Sequence, residues 1–153
     1  MGIFSLLKKS SILYYPGCTT YYKTRSNFEL YLKIFDRLGI NVRVKTGDMC
    51  CGLPALEAGY ESESRKIAKQ NLEFFRDNRI TQIVTNCPSC FKMFLKDYQD
   101  LVPNWDIEVV DVWKLIFEKL DEKPRLVKYP ADGETVTYQD SCHLAHGQKV
   151  RRQ

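Results

Sequence analysis

The chain has 153 residues, of which 44% are hydrophobic and 27% charged, and a net charge of +4. This length suits one domain with a real core, and the composition is that of a globular protein, neither disordered nor embedded in a membrane. Basic residues are spread along the chain, which argues against a nucleic-acid partner. No apolar run reaches the roughly 18 residues that a membrane-spanning helix needs.

The pattern at the start of the chain is not that of an export signal. Lys8 and Lys9 follow a very short apolar stretch, which reverses the order of charge and apolar residues in a secretory signal. We therefore expect a cytoplasmic location, where thiols stay reduced. In such a compartment clustered cysteines bind metals or carry out redox chemistry more often than they form structural disulfides.

Apolar patterns predict strands that alternate with helices. In chain order, the predicted elements are a strand at 11–15, a helix at 28–38, a strand at 40–44, a helix at 61–78, a strand at 80–85, a helix at 88–98, a strand at 107–110, a helix at 112–120 and a strand at 135–138. Gly39 is the expected stop of the first helix, and Asp111 the expected cap of the last. Tyr14 and Tyr15 are expected to pack in the core or at its rim. The alternation predicts an α/β fold, namely a Rossmann-like parallel sheet of four to five strands with helices on both faces.

Five of the six cysteines follow predicted strands. Cys18 comes after the first strand, Cys50 and Cys51 after the second, and Cys87 and Cys90 after the third. In a parallel sheet the carboxyl ends of the strands lie along one edge, and ligands bind there. We therefore expect these five thiols to converge at the carboxyl edge of the sheet.

Three chemistries suit such a group of thiols. Thiolates are the usual ligands of iron–sulfur clusters, and five cysteines exceed the four that a tetrahedral zinc ion uses. Zinc held by four of them stays open, because soft sulfur also suits zinc. A thioredoxin-like dithiol at Cys87 and Cys90 is the third interpretation, because the pair follows a strand and begins a helix. It leaves the other three thiols unexplained.

Four segments resemble the cysteine-rich CCG-domain family: Tyr15–Cys18, Cys50–Pro54, Thr85–Cys90 and Tyr138–Leu144. The resemblance covers the chain from Tyr14 onward. The family includes the B-type and D-type subunits of heterodisulfide reductase and the iron–sulfur subunits of glycolate, lactate and anaerobic glycerol-3-phosphate oxidation. The stretch Asp140–Gln148 is most similar to the glycolate-oxidase subunits.

The resemblance implies a cofactor and a role. In heterodisulfide reductase such motifs hold a non-cubane 4Fe–4S cluster, which implies the same ligand role here for Cys18, Cys50, Cys51, Cys87 and Cys90. Some relatives use a comparable motif for zinc, so a zinc-binding interaction module remains the alternative. The implied function is electron transfer within a multi-subunit oxidoreductase, as a redox subunit and not as a complete enzyme. A flavoprotein or a ferredoxin-like subunit is the implied partner, and such partners would provide any association with a membrane.

The resemblance also implies a division of the chain. Residues 1–10 form an N-terminal extension, 11–130 one CCG domain, and 131–153 the start of a second, incomplete repeat, because family members usually carry the cysteine pattern twice. Cys142 looks like the opening ligand of that repeat, which a longer chain or a second CCG-containing chain would complete. His143 and His146 are expected to have a structural or exposed role, and no residue is assigned to catalysis.

Overall fold

A computed structural model describes residues 10–45, 47, 50–126, 133, 135 and 137. In chain order, its strands and α-helices are β1 (Ile12–Tyr14), α1 (Arg25–Leu38), β2 (Arg43–Val44), α2 (Leu53–Glu57), α3 (Glu61–Asp77), β3 (Gln82–Thr85), α4 (Pro88–Lys92), α5 (Tyr98–Leu101), β4 (Glu108–Asp111) and α6 (Val112–Asp121). Shorter helical turns are two π-helical segments, Thr19–Lys23 and Met93–Asp97, and a 3-10 turn, Pro124–Leu126.

The four strands form one parallel sheet in the order β2-β1-β3-β4. The chain moves from β1 to β2 in one direction and then returns past β1 to reach β3. This reversal makes the space between β1 and β3 the switch point of the sheet, where ligands bind in open α/β folds. The predicted α/β, Rossmann-like parallel sheet is confirmed, with four strands in the described part of the chain.

Side chains alternate between the two faces of the sheet. Leu13 and Ile83 pack on one face with α3 and the helical run 88–101, whereas Tyr14 and Val84 pack on the other with α1 and α6. Right-handed crossovers require this arrangement, because the connections on opposite sides of the switch point must cover opposite faces. The expected helices on both faces are therefore confirmed.

Two predicted helix boundaries have the expected physical cause. Gly39 has a φ of 74° and ends α1 with its N–H directed at the carbonyls of Phe35 and Asp36. This left-handed conformation suits glycine. Asp111 precedes α6, and its carboxylate accepts from the N–H of Trp113 at 2.8 Å. Such a bond satisfies one of the free N–H groups at a helix start.

The prediction and the structure differ in several elements. The strand at 40–44 is reduced to Arg43–Val44, the two residues that pair with Leu13 and Tyr14 of β1. The helix at 88–98 is a succession of α4, a π-helical segment and α5, and the short α2 was not predicted. The expected fifth strand lies largely outside the described residues, and its two described residues, Thr135 and Thr137, are exposed and belong to no strand.

Candidate metal centre

Three loops bring five cysteines to the carboxyl edge of the sheet. Cys18 follows β1, and Cys50 and Cys51 lie between β2 and α2. Cys87 is the residue before α4, and Cys90 lies in the first turn of that helix. Because β1 and β3 flank the switch point, the first and third of these loops are neighbours. The structure therefore brings the five cysteines together at the carboxyl edge of the sheet, as the sequence predicts.

Gly17 holds the first loop against the third. Its φ of 77° lies in the left-handed region, and a Cβ built on it would lie 2.9 Å from the Cβ of Cys87. The same Cβ would lie 3.3 Å from the Sγ atoms of both Cys87 and Cys90. Only glycine fits at such a distance. Its position directly before Cys18 in the sequence is a signal for such a close approach.

Three of the five thiols are joined by hydrogen bonds across the loops, and the other two lie within electrostatic range. Cys90 is hydrogen-bonded to Cys51 and to Cys87, and Cys50 lies within electrostatic range of Cys51 and of Cys18. Cys51 and Cys90 are buried, Cys50 and Cys87 are partly buried, and Cys18 is exposed. These five side chains, here called the thiol group, therefore extend from the core to the solvent.

Hydrogen bonds make the thiols unequal as acids. The bond from Cys90, helped by the N–H groups of Cys90 and Ser89, lowers the pKa of Cys87 from 9.0 to about 6 despite burial. The bond between Cys90 and Cys51 lowers the pKa of Cys51. The hydrogen bonds from Cys90 to Cys51 and Cys87 raise the pKa of Cys90 itself well above 9.0. Burial raises the pKa of Cys50. A metal binds thiolates, so loading this group would release protons.

Three buried side chains fix the backbone of residues 50–52. The carbonyl oxygens of residues 50, 51 and 52 accept, in turn, from Asn71 Nδ2 at 2.9 Å, the Tyr98 hydroxyl at 3.0 Å and Ser64 Oγ at 3.1 Å. Asn71 Nδ2 also donates to the Tyr98 hydroxyl at 2.9 Å, and its Oδ1 accepts from Lys45 Nζ at 2.9 Å. We call Ser64, Asn71 and Tyr98 the clamp residues. Each unpaired buried carbonyl would cost about 1–3 kcal/mol, so the clamp strongly favours this one conformation of the turn.

Gly52 allows the same turn to face both the core and the thiols. Its φ is 93°, and a Cβ there would lie 3.2 Å from Ser64 Oγ and 3.3 Å from Met93 Cε. Its N–H donates to the Sγ of Cys50 at 3.4 Å, on the thiol side of the turn. The clamp was missed in the sequence, although Ser64 and Asn71 are polar residues on the apolar stripe of α3 that carries Ala68.

A buried hydroxyl lies beside the thiol group without a hydrogen-bond partner in the described residues. Tyr15 is 0% exposed and packs in the same core cluster as Cys51 and Cys90. Burial raises its pKa well above 10.0, and the nearby Cys90 and Cys51 add to this effect. The tyrosine expected to pack in the core or at its rim does so, and it also brings a polar atom to the site.

Within residues 10–45, 47, 50–126, 133, 135 and 137, no group of three or more His, Cys, Asp or Glu side chains is placed to hold a single metal ion. An iron–sulfur cluster is held differently, by thiolates that surround an inorganic core of several atoms. Cys142, His143 and His146 lie outside the described residues. Within the described ranges, no helix combines the length and apolar character that crossing a bilayer requires.

Replacement of Asn71 tests the clamp directly. Asn71→Leu leaves the Cys50 carbonyl and the Tyr98 hydroxyl without a buried donor, so we expect the free energy of unfolding of the metal-free, reduced protein to fall by ~2 kcal/mol. Urea denaturation measures this change. The control is Gln70→Leu, which also removes a side-chain amide but at an exposed neighbouring position. It should change the free energy of unfolding by less than ~0.5 kcal/mol. Equal stability of the two variants would contradict the clamp.

Known proteins similar to the chain carry related names. It is 28% identical to an uncharacterised iron–sulfur protein of Methanococcus maripaludis, over 94% of this chain and 27% of that protein. It is 28% identical to the D-type subunit of the dihydromethanophenazine:CoB–CoM heterodisulfide reductase of Methanosarcina acetivorans, over 89% of this chain and 34% of that protein. It is 29% identical to lactate utilization protein A of Shouchella clausii, over 74% of this chain and 49% of that protein.

The chain thus spans between about a quarter and a half of the length of these relatives. No solved structure matches it. The CCG family profile, described as a cysteine-rich domain, matches residues 12–95, which include all five members of the thiol group. Since this match covers more than half of the chain, the protein belongs to the CCG cysteine-rich domain family.

Proposed function

We propose that the chain holds an iron–sulfur cluster at the thiol group and serves as an electron-transfer subunit of a multi-subunit oxidoreductase. The observation that carries this proposal is the convergence of five thiols, from three loops, at the carboxyl edge of the sheet. The cluster is of the 4Fe–4S type, in the non-cubane form that the family resemblance implies. The proposed ligands are Cys18, Cys50, Cys51, Cys87 and Cys90.

The chemistry of the donors supports a cluster. Thiolates are soft ligands that suit iron–sulfur centres, and all five donors of the group are thiols. The thiol group includes one more donor than a tetrahedral zinc site needs. The Tyr15 hydroxyl, which has no hydrogen-bond partner among the described residues, adds a hydrogen-bond donor on the buried side. These residues fit a group with several sulfur atoms.

Each part of the site has a task in this proposal. The buried Cys51 and Cys90 would hold the inner side of the cluster, and the exposed Cys18 would hold its solvent side. The clamp residues keep the Cys50-Cys51 turn in place before and after loading. The cluster would supply one-electron chemistry, and burial and hydrogen bonds to its sulfur atoms would set its reduction potential.

Partners follow from the proposed role, because an electron carrier has to exchange electrons with other centres. We propose a flavoprotein or a ferredoxin-like subunit as donor or acceptor, in complexes of the heterodisulfide reductase or glycolate oxidase type. A relative whose name makes it a subunit of such a reductase supports this proposal. The proposed location is cytoplasmic, with any membrane contact made through partner subunits.

The domain division remains a proposal. Residues 11–130 would form the CCG domain, residues 1–10 an extension, and residues 131–153 the start of a second repeat. The family match at residues 12–95 lies inside the first of these. A second CCG-containing chain, or further residues of a longer one, would then complete the second repeat at Cys142.

Iron and sulfide content tests the ligand set. After anaerobic reconstitution we expect about four irons and four sulfides per chain, with a brown colour. Cys51→Ser should lose most of both, because it replaces a buried thiolate with a poorer ligand for iron. Cys142→Ser is the matched control, since this cysteine lies outside the proposed set, and it should keep the wild-type content.

Two outcomes of that experiment would contradict the proposal. A colourless protein with one tightly bound zinc would identify the zinc-binding interaction module instead. Loss of iron in Cys142→Ser but not in Cys51→Ser would show that the ligand set is wrong. Air-free handling throughout ensures that a low iron content reflects the protein and not oxidation of its thiols.

A dithiol oxidoreductase is a second candidate, which the acidity of Cys87 favours in metal-free protein. Hydrogen bonding from Cys90 lowers the pKa of Cys87 to about 6. The Cys87 thiolate would attack a substrate disulfide and form a mixed disulfide, releasing one substrate thiol. Cys90 would then displace the second substrate thiol, so that the pair is oxidised to a disulfide as the substrate is reduced.

The pH dependence of alkylation tests the acidity of Cys87. In metal-free, reduced protein the rate at Cys87 should be half-maximal near pH 6, because the thiolate is the nucleophile and its pKa is about 6. The rate should therefore rise from pH 5 and level off by about pH 7.5, as mass spectrometry of the Cys87 peptide would record. The same peptide in urea-unfolded protein is the control and should titrate near ~8.5. Coincident curves for folded and unfolded protein would rule out an activated Cys87.

A further inference from the structure

We propose that the Tyr15 hydroxyl donates a hydrogen bond to a sulfur atom of the bound cluster and thereby raises its reduction potential. This inference rests on the proposed function and assigns Tyr15 as a positioning and tuning residue beside the cluster. It is carried by the position of a buried hydroxyl among the thiols, without a hydrogen-bond partner in the described part of the chain.

The position of Tyr15 is fixed from two sides. It directly follows β1, and its N–H donates to the carbonyl of Val84 in β3 at 2.8 Å. Its ring packs edge-on against Phe94, with ring centroids 4.9 Å apart. The side chain is 0% exposed, so its hydroxyl cannot reach solvent without displacing the core. The hydroxyl is therefore held within the core cluster that also includes Cys51 and Cys90.

The other fully buried tyrosines make the contrast clear. Tyr14 donates to Asn86 Oδ1 at 2.9 Å, and Tyr98 donates to the carbonyl of Cys51 at 3.0 Å. Buried hydroxyls in proteins are almost always paired in this way, because an unpaired hydroxyl loses its hydrogen bonds to water and gains none in the protein. A hydroxyl that is unpaired in the described residues, and that lies in the same core cluster as the proposed ligands Cys51 and Cys90, fits an acceptor that arrives with the cluster.

Sulfur atoms of a cluster provide such an acceptor. Both thiolate and sulfide carry negative charge, and a hydrogen bond to a charged acceptor in a buried site is stronger than one in water. Reduction adds a further negative charge, so a donor stabilises the reduced state more than the oxidised state. Hydrogen bonds to sulfur are among the features that set cluster potentials. Loss of the Tyr15 hydroxyl should therefore lower the potential.

The test compares Tyr15→Phe with Tyr14→Phe. Both variants remove one hydroxyl from a fully buried tyrosine in the same segment of the chain, but the Tyr14 hydroxyl is already paired with Asn86. Anaerobic redox titration of reconstituted proteins, followed by the visible absorption of the cluster, measures the potential. We expect a lower potential in Tyr15→Phe and an unchanged potential in Tyr14→Phe.

A second measurement uses thermal unfolding, with and without the cluster. In metal-free protein Tyr15→Phe should melt at the same temperature as wild type or higher, because it removes a buried hydroxyl that none of the described residues pairs with. Tyr14→Phe should melt lower, since it breaks a made hydrogen bond. On reconstitution the melting temperature should rise less in Tyr15→Phe than in wild type, because the variant lacks one contact with the bound group.

The outcomes separate this inference from the proposed function. If wild type loads iron and sulfide but Tyr15→Phe keeps its potential and gains as much thermal stability on loading, the hydrogen bond is refuted and the cluster stands. If wild type takes up neither, the proposed function fails and this inference fails with it. If Tyr15→Phe does not fold, 3,5-difluorotyrosine at position 15 replaces it. This side chain is a stronger donor of similar size, so it should raise the potential, and an unchanged potential would refute the bond.

Discussion

Hydrogen bonds from the core to three consecutive carbonyls hold the turn at residues 50–52, and the geometry of the site depends on them. Asn71 and Ser64 come from α3 and Tyr98 from α5, so two helices together fix one loop. Loops normally lie on the surface because buried backbone needs partners, and here the clamp residues provide those partners. With its carbonyls engaged in the core, the turn can present adjacent thiols without depending on a metal for its shape.

The topology of the sheet brings the other loops to this turn. After β2 the chain crosses back over β1 to form β3 on the other side of it, so β1 and β3 are parallel neighbours. The loops after these two strands therefore lie side by side, although they are far apart in sequence. Gly17 then lets the first loop pass within van der Waals contact of Cys87. The result is a graded site, with buried thiols at Cys51 and Cys90 and an exposed one at Cys18. Such a gradient suits a redox centre that must exclude water and still exchange electrons with a partner.

Much of this arrangement could be predicted from local patterns. Alternating strands and helices indicated the parallel sheet, and the position of the cysteines after strands indicated their convergence. The clamp could not be predicted in the same way, because Asn71 and Tyr98 act on carbonyls remote in sequence and no local rule pairs them. The π-helical segment Met93–Asp97 was missed because its apolar spacing resembles that of an α-helix, and Thr19–Lys23 lies between the predicted elements. Tyr15 illustrates a different limit, since its apolar ring explains its burial and gives no sign that its hydroxyl lacks a hydrogen-bond partner among the described residues.

The proposed electron transfer depends on one cluster, with several irons, bound among the five thiols. Anomalous diffraction from crystals of anaerobically prepared protein, recorded on both sides of the iron edge and of the zinc edge, tests its presence most directly. We expect an iron signal from several atoms at the carboxyl edge, between the Cys50-Cys51 turn and the loops that carry Cys18 and Cys87. A single zinc atom at this place, or iron bound elsewhere in the molecule, would contradict the proposed centre.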